Sequence, residues 1–167
     1  MKFRKLDMKT VSADNLPKVR CFLKMKVYAE VYFNGEPKTS IRTTVDMAGE
    51  RNPKWDLQLN YTINKASLRK PGLEVVVKLY CKRTRGDKYI SEVKIPVKAL
   101  FARRRAGQEA SFDVAGTGNG KLNILYSFGR MFRDEEPSCW VEAIRAGLRV
   151  LFVVMVQGTW FALSGGI

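Results

Sequence analysis

Apolar and polar residues alternate through most of the first 129 residues, and a period of two is typical of half-buried β-strands. The clearest run ends at Asn34-Gly35, a dipeptide that favours a tight turn. One face of this strand is apolar and comprises Met25, Val27, Ala29, Val31 and Phe33. The other face is polar or aromatic and comprises Lys24, Lys26, Tyr28, Glu30 and Tyr32. The pattern predicts a strand that buries one face in a core.

Seven further segments have strand-like composition and are bounded by turn-forming or basic residues: 3–12, 38–44, 55–63, 73–80, 89–97, 110–114 and 120–128. Eight short strands with regular turns predict an all-β fold, an eight-stranded antiparallel β-sandwich. Helical signal is scarce in this region, with single turns expected at residues 65–70 and 98–105.

The pattern changes after Gly129, so we predict a β-sandwich over residues 1–129 and a charged linker over residues 130–139. Residues 140–167 predict an apolar C-terminal helix or membrane anchor, and residues 150–167 carry no charge. A helix formed by the 18 uncharged residues 150–167 would span ~27 Å, close to the ~30 Å hydrocarbon core of a bilayer. Three interpretations remain open for it: a membrane anchor, an amphipathic helix on the membrane surface, and a helix that packs on the sandwich.

The composition argues against catalysis and against a bound metal. The chain has no histidine, which is the commonest general base and the commonest transition-metal ligand. Cys21, Cys81 and Cys139 lie far apart in sequence, so neither a zinc site nor a disulfide framework is indicated. We therefore expect a non-enzymatic protein without a cofactor.

A formal net charge of +14 favours anionic partners, either lipid headgroups or nucleic acid. The first ten residues, MKFRKLDMKT, contain no apolar run of signal-peptide length, which predicts a cytosolic location.

Several segments, in order and spacing, resemble a C2 domain: LDMKTVSADNL (6–16), KMKVYAEV (24–31), NPKW (52–55), LY (79–80), ISEVKIPVKAL (90–100) and GKLNILYSFG (120–129). More narrowly, they are similar to the plant cold- and stress-regulated C2 family, in which a variable tail follows the domain. The resemblance implies a C2-type β-sandwich whose loops at one end meet a membrane. In many members calcium ions, held by aspartates, mediate that contact.

The chain departs from this calcium-binding pattern. Lys26 stands where a typical member has aspartate, Cys81 and Arg83 match a pair of aspartates, and Lys88 matches a later ligand position. Residues 17–24 contain no acid. Because calcium requires several anionic oxygens from at least two loops, we expect no metal here.

Basic residues in the matching loops instead predict a lipid-binding site made of Lys18, Arg20, Lys24, Lys26, Lys82, Arg83, Arg85 and Lys88. Phe22 and Leu23 are candidates for insertion into the headgroup region, with burial under the loop as the alternative.

The leading hypothesis is a non-catalytic membrane-targeting and interaction module that binds anionic phospholipid without calcium. It would act at the cytosolic face of the plasma membrane or endoplasmic reticulum, with a cytosolic or membrane protein as a further partner. The resemblance implies a role in plant stress, defence or membrane traffic. The alternative is a nucleic-acid-binding basic β-sandwich that uses Tyr28 and Tyr32, although no nucleic-acid module signature is present.

Overall fold

The computed structural model describes residues 1–104, 108–133, 152–156 and 159–163. In chain order the elements are β1 (Lys2–Asp14), β2 (Val27–Phe33), β3 (Ile41–Arg42), β4 (Lys54–Asn64), β5 (Glu74–Cys81), β6 (Lys88–Pro96), α1 (Val97–Ala102), β7 (Gln108–Asp113), β8 (Lys121–Arg133), β9 (Phe152–Val156) and β10 (Thr159–Leu163). Short 3-10 turns occur at Pro37–Thr39 and Ser67–Arg69.

The first eight strands form two four-stranded antiparallel sheets, which confirms the predicted sandwich. The first sheet has the order β4-β1-β8-β7, and the second has the order β3-β2-β5-β6. The core between them includes the predicted apolar face, which runs from Met25, just before β2, to Phe33 at its end, and every second side chain along it is at most 1% exposed. Leu6 and Met8 on β1 and Leu122 on β8 face the same core. Burial of each such side chain contributes about 1.5–3 kcal/mol.

Antiparallel pairing collects the connections at two ends of the sandwich. At one end, which we call the upper end, lie loop A (residues 15–26), loop B (residues 43–53), loop C (residues 82–87) and the turn at residues 114–120. The opposite, lower end carries residues 34–40, residues 65–73 and α1 with the residues that follow it. The two ends therefore present different segments of the chain to the solvent.

The third strand is shorter than the sequence predicted. Pro37 begins a 3-10 turn, and the Thr39 hydroxyl accepts a hydrogen bond from the backbone N–H of Phe33 at 2.9 Å. Proline fixes φ and has no N–H to donate to a sheet, so the chain joins β2 only at Ile41–Arg42. The helical turns expected at residues 65–70 and 98–105 are the 3-10 turn Ser67–Arg69 and α1.

The predicted C-terminal helix is wrong where the structure describes the tail. Phe152–Val156 and Thr159–Leu163 pair as an antiparallel hairpin, β9 with β10. Their sequences, FVVMV and TWFAL, are rich in the β-branched and aromatic residues that favour strands, and an uncharged run does not by itself distinguish a helix from a strand. Residues 134–151, 157–158 and 164–167 of the predicted linker and tail lie outside the described residues.

The sheet continues past the predicted boundary at Gly129, since β8 runs to Arg133 and pairs there with Lys2. Within the ranges that the structure describes, no helix combines the length and the apolar character needed to cross a bilayer.

Candidate functional site

Loops A and B are joined by reciprocal contacts at the upper end. The backbone N–H of Leu16 donates to the carbonyl oxygen of Arg51 at 3.0 Å, and Arg51 Nε donates back to the carbonyl oxygen of Leu16 at 2.6 Å. The N–H of Asn15 donates to Asn52 Oδ1 at 2.9 Å. Two loops far apart in sequence are thus held as one surface.

Loop C joins that surface through its first residue. The backbone N–H of Lys82 donates to the carbonyl oxygen of Lys26 at 2.8 Å. Val27 pairs with Cys81, which in turn pairs with Lys88 across the next strand. The structure therefore brings Lys26, Lys82 and Lys88 to the same end of three neighbouring strands.

The predicted lipid-binding residues differ in exposure. Arg20 and Lys26 are half-buried, and Arg20 Nη1 donates to the carbonyl oxygen of Lys24 at 3.1 Å, so this guanidinium closes loop A. Lys18 lies next to Pro17. Pro17 lines a depression together with Arg51 and residues 117–119. The remaining residues of the set are exposed: Lys18, Lys24, Lys82, Arg83, Arg85 and Lys88.

Loop A also presents apolar side chains to solvent. Phe22 is 99% exposed and Leu23 is 64% exposed, and Met47 on loop B is 56% exposed. The alternative in which Phe22 and Leu23 are buried under the loop is wrong. Exposed apolar residues among cations match the chemistry of the boundary between headgroups and acyl chains.

Loop B contains two acids, Asp46 and Glu50, and both carboxylate oxygens of Asp46 accept hydrogen bonds. They accept hydrogen bonds from the backbone N–H groups of Ala48, Gly49 and Lys54 at 2.7–2.9 Å. Partial burial opposes ionisation of this carboxyl, but the hydrogen bonds outweigh it and hold the pKa of Asp46 below its usual range. Asp46 therefore acts as a structural acceptor that shapes loop B.

Asp87, the acid in loop C, has the same kind of role. It accepts a hydrogen bond from the Tyr28 hydroxyl at 2.8 Å and another from the backbone N–H of Arg83 at 3.1 Å. The bond from Tyr28 is the main cause that lowers the pKa of Asp87. Burial, followed by this bond, raises the pKa of Tyr28 to about 12. Asp87 thus ties loop C to β2.

In the part of the chain that the structure describes, no three acidic, cysteine or histidine side chains are grouped as metal ligands. The positions that the resemblance aligns with calcium ligands hold Lys26, Cys81, Arg83 and Lys88, and the Cys81 side chain is buried.

The aromatic face of the second sheet is filled by contacts within the protein. Tyr28 stacks on Tyr80 with ring centroids 5.5 Å apart, and the Arg42 guanidinium lies 5.4 Å from the Tyr28 ring. Arg42 also pairs with Glu30 at 3.2 Å. Sequence reasoning missed Arg42 and Tyr80 because their roles depend on strand pairing. The Tyr28 ring is thus engaged with a neighbouring strand, which argues against its use in a nucleic-acid groove.

The comparisons with known proteins agree with this geometry. Residues 4–112 match the family model of the C2 domain. The chain is 32% identical over 138 residues to the protein SRC2 homolog of Arabidopsis thaliana, and 30% identical over 139 residues to the protein SRC2 of Glycine max. These alignments cover 79% and 77% of this chain but 43% and 47% of the relatives, so the chain spans less than half the length of either. The resemblance found in the sequence is confirmed.

Solved structures show the same fold. The first C2 domain of a plant extended synaptotagmin 1 superposes with a TM-score of 0.61 at 15% identity, covering 78% of this chain and 96% of that one. The tandem C2 domains of extended synaptotagmin 2 with calcium bound give a TM-score of 0.58 at 16% identity, covering 74% and 45%. Human GIVD cytosolic phospholipase A2 matches with a TM-score of 0.59 at 14% identity, covering 75% of this chain but only 17% of its own. This similarity shows a shared fold and is not evidence of catalytic activity in this chain.

Proposed function

The chain belongs to the C2 domain family, a family of membrane-binding modules, and on that premise we propose that it binds anionic phospholipid through loops A and C without calcium. In this proposal the protein is a non-catalytic targeting module. Lysine and arginine side chains contact the headgroup phosphates directly, where many family members place a metal ion.

The observation that carries the proposal is the meeting of loops A and C at Lys26 and Lys82. None of the ion pairs among the described residues involves Lys26, Lys82, Arg83 or Lys88. Each base near an anionic bilayer contributes about 1 kcal/mol of attraction. Unpaired lysine and arginine side chains on converging loops therefore attract an anionic membrane, and this attraction weakens as the salt concentration rises.

The hydrogen bonds already made by Asp46 and Asp87 support calcium independence. A calcium ion needs several carboxylate oxygens with free lone pairs, whereas Asp46 is occupied by three backbone N–H groups and Asp87 by Tyr28 and Arg83. A metal ion at either acid would compete with the hydrogen bonds that fix loops B and C.

The physiological setting follows from the family rather than from the site. We propose action at the cytosolic face of the plasma membrane or endoplasmic reticulum, in plant stress, defence or membrane traffic, with a protein partner recruited by the domain. The likeness to the SRC2 proteins of Arabidopsis thaliana and Glycine max supports a plant setting.

Cosedimentation of the full chain with vesicles tests the proposal. The vesicles contain either phosphatidylcholine alone or phosphatidylcholine with phosphatidylserine, each in calcium and in chelator. The loop variant carries Lys26→Gln, Arg83→Gln and Lys88→Gln. A matched variant with the same loss of charge carries Lys9→Gln, Lys78→Gln and Lys94→Gln. These residues lie on strands between the two ends, where Lys9 pairs with Asp56, Lys94 pairs with Glu92 and Lys78 lies over the Tyr32 ring.

We expect equal binding to phosphatidylserine vesicles in calcium and chelator, and weak binding to neutral vesicles. The loop variant should bind on the order of 100-fold more weakly, since it loses three attractions of about 1 kcal/mol each. The matched variant should bind nearly as well as the parent. Binding that requires calcium, or that survives in the loop variant, contradicts the proposal. Stronger retention by a single-stranded oligonucleotide than by vesicles at the same salt would favour the nucleic-acid alternative.

A further inference from the structure

The lower end of the sandwich carries a second group of bases, distant from loops A and C. Its segments at residues 34–40, 65–73 and 97–104 contain Glu36 as their acid. The bases in the same segments are all exposed: Lys38, Lys65, Arg69, Lys70, Lys98, Arg103 and Arg104. We call this set the lower basic surface. We propose that it docks a second anionic bilayer, so that one chain bridges two membranes.

These bases share one surface because the segments that carry them pack together. The 3-10 turn Ser67–Arg69 contacts α1, and the backbone N–H of Val97 donates to the carbonyl oxygen of Leu73 at 3.0 Å. Leu68 and Leu100 lie in the core at 1% and 2% exposure. Their burial fixes both segments on the sandwich and leaves the flanking bases outside.

The end of the first sheet adds charge of the same sign. Lys2 on β1 pairs in register with Arg133 on β8, and Arg130 is exposed nearby on β8. Like charges opposite each other in a sheet are destabilising unless something anionic compensates them. The sheet end thus extends the basic surface.

The ion pairs among the described residues all join residues of strands, and none of them lies at the lower end. Lys9 contacts Asp56, Arg42 contacts Glu30 and Lys94 contacts Glu92, all on strand segments. None of the ion pairs among the described residues involves the lower basic surface. Unpaired lysine and arginine side chains are therefore most numerous at the two ends, with Lys5 on β1 and Lys78 on β5 as strand residues that also make no ion pair among the described residues.

The two ends are too far apart to face one membrane. Strand β4 has 11 residues and runs from the upper to the lower end, which corresponds to about 35 Å at ~3.3 Å per residue. That is several times the ~8 Å screening length at physiological salt. Each end therefore responds to its own anionic surface.

Exposed apolar side chains, like the unpaired basic side chains, are found at the two ends of the sandwich. Among the described residues, the large hydrophobic side chains that are exposed lie at or beside the two ends: Phe22, Leu23, Met47 and Tyr89 above, and Met1 and Met131 below. Several exposed lysine and arginine side chains at one end, accompanied by single exposed apolar side chains, match the chemistry of a headgroup layer. This inference rests on the proposed function, because the first membrane is held by loops A and C.

A clustering assay separates the inference from the proposed function. Two populations of phosphatidylserine-containing vesicles, one with a donor dye and one with an acceptor dye, are mixed with the full chain, and energy transfer between them is recorded. The lower-surface variant carries Lys65→Gln, Arg69→Gln and Lys98→Gln, which are exposed and make no side-chain hydrogen bond or ion pair among the described residues. The matched variant is again Lys9→Gln, Lys78→Gln and Lys94→Gln.

We expect the parent and the matched variant to cluster vesicles, and the lower-surface variant to cosediment with vesicles within a few-fold of the parent yet lose most of the clustering signal. Clustering by the lower-surface variant at the level of the parent overturns the inference, as does a parent that binds vesicles without clustering them. A parent that is dimeric in sedimentation velocity while the variant is monomeric also overturns it, because pairing of chains would then explain the clustering. A parent that fails to cosediment at all contradicts the proposed function itself.

Discussion

The backbone N–H of Lys82 donates a hydrogen bond to the carbonyl oxygen of Lys26 at 2.8 Å, so loops A and C meet at two lysines. Folding brings these positive charges together, and no ion pair among the described residues neutralises either of them. The repulsion between like charges is a cost that the folded protein carries. Binding to an anionic membrane surface would relieve this repulsion, and the relief would add to the binding free energy.

Phe22 on loop A provides a test of membrane insertion that is independent of charge. Because its side chain is 99% exposed, Phe22→Ser should leave the free energy of unfolding unchanged within about 0.5 kcal/mol. Full burial of a phenylalanine is worth roughly 1.5–3 kcal/mol, so vesicle binding should weaken by about 10-fold or more. Vesicle titration at several salt concentrations measures both the affinity and its salt dependence.

The salt dependence distinguishes insertion from charge attraction at this site. Phe22→Ser should lower the affinity at every salt concentration without changing its slope, whereas Arg83→Gln should reduce the slope. Unchanged affinity of Phe22→Ser would show that the ring stays in water in the bound state.

The sequence was sufficient for features that depend on local pattern. The alternation from Met25 to Phe33 identified both β2 and its buried face, because a period of two is set by the geometry of each strand. The presence of Lys26 and Arg83 at positions where typical C2 domains have aspartate was likewise visible in the sequence, once the resemblance had aligned the loops.

Features that depend on pairing between distant segments were not predictable. Arg42 reaches Glu30 and Tyr28 only because β3 lies beside β2, and the lower basic surface exists only because α1 contacts the turn at Ser67–Arg69. The predicted C-terminal helix is wrong because the length of the apolar run and its lack of charge do not distinguish a helix from strands. The β-branched and aromatic residues of Phe152–Val156 and Thr159–Leu163 are the better signal.

Asp46 is expected to stabilise loop B through its backbone acceptor role. Asp46→Asn removes the charge from hydrogen bonds with Ala48, Gly49 and Lys54, and a loss of about 1–3 kcal/mol in unfolding free energy is expected. Urea denaturation at neutral pH measures this loss. Asp56→Asn, which removes an exposed acid paired with Lys9, is the control and should cost much less.

The pH dependence of the Asp46 effect has a defined sign. Because the folded-state pKa of Asp46 is lowered, its contribution is present above the unfolded value of about 3.9 and is lost as the pH falls through the folded pKa. The difference between parent and Asp46→Asn should therefore shrink in strong acid. A difference that persists there, or a melting temperature of the parent that rises with calcium, would contradict the acceptor role.

Tyr28→Phe should loosen loop C by removing the hydroxyl that donates to Asp87. That bond is the main cause of the lowered pKa of Asp87, so the pKa should rise towards its ordinary value in the variant. Carboxyl carbon NMR titration measures the change. Stability supplied by Asp87 is present above its unfolded pKa and lost as the pH falls through its folded pKa, so the variant should lose less stability on acidification.

Amide exchange gives a second measure of the same contact. The N–H of Arg83, which donates to Asp87, should exchange faster in Tyr28→Phe. Tyr80→Phe is the matched control, because it keeps the ring that stacks on Tyr28 and leaves the bond to Asp87 intact. Equal titration of Asp87 in the parent and in Tyr28→Phe would exclude the proposed coupling.

Tyr61 presents the opposite case, a hydroxyl whose removal should stabilise the protein. Its Oη is buried without a hydrogen-bond partner among the described residues, and a buried unsatisfied hydroxyl costs about 1–3 kcal/mol. Tyr61→Phe keeps the ring contact with Phe33, at 4.7 Å between centroids, so the free energy of unfolding should rise by about 1 kcal/mol. Burial also raises the pKa of Tyr61, so the parent should lose stability as the pH rises above about 10, where the unfolded tyrosine ionises, and the variant should lose less. Urea denaturation at neutral and alkaline pH tests both expectations, and a variant less stable than the parent at neutral pH would mean that the hydroxyl is hydrogen-bonded in solution.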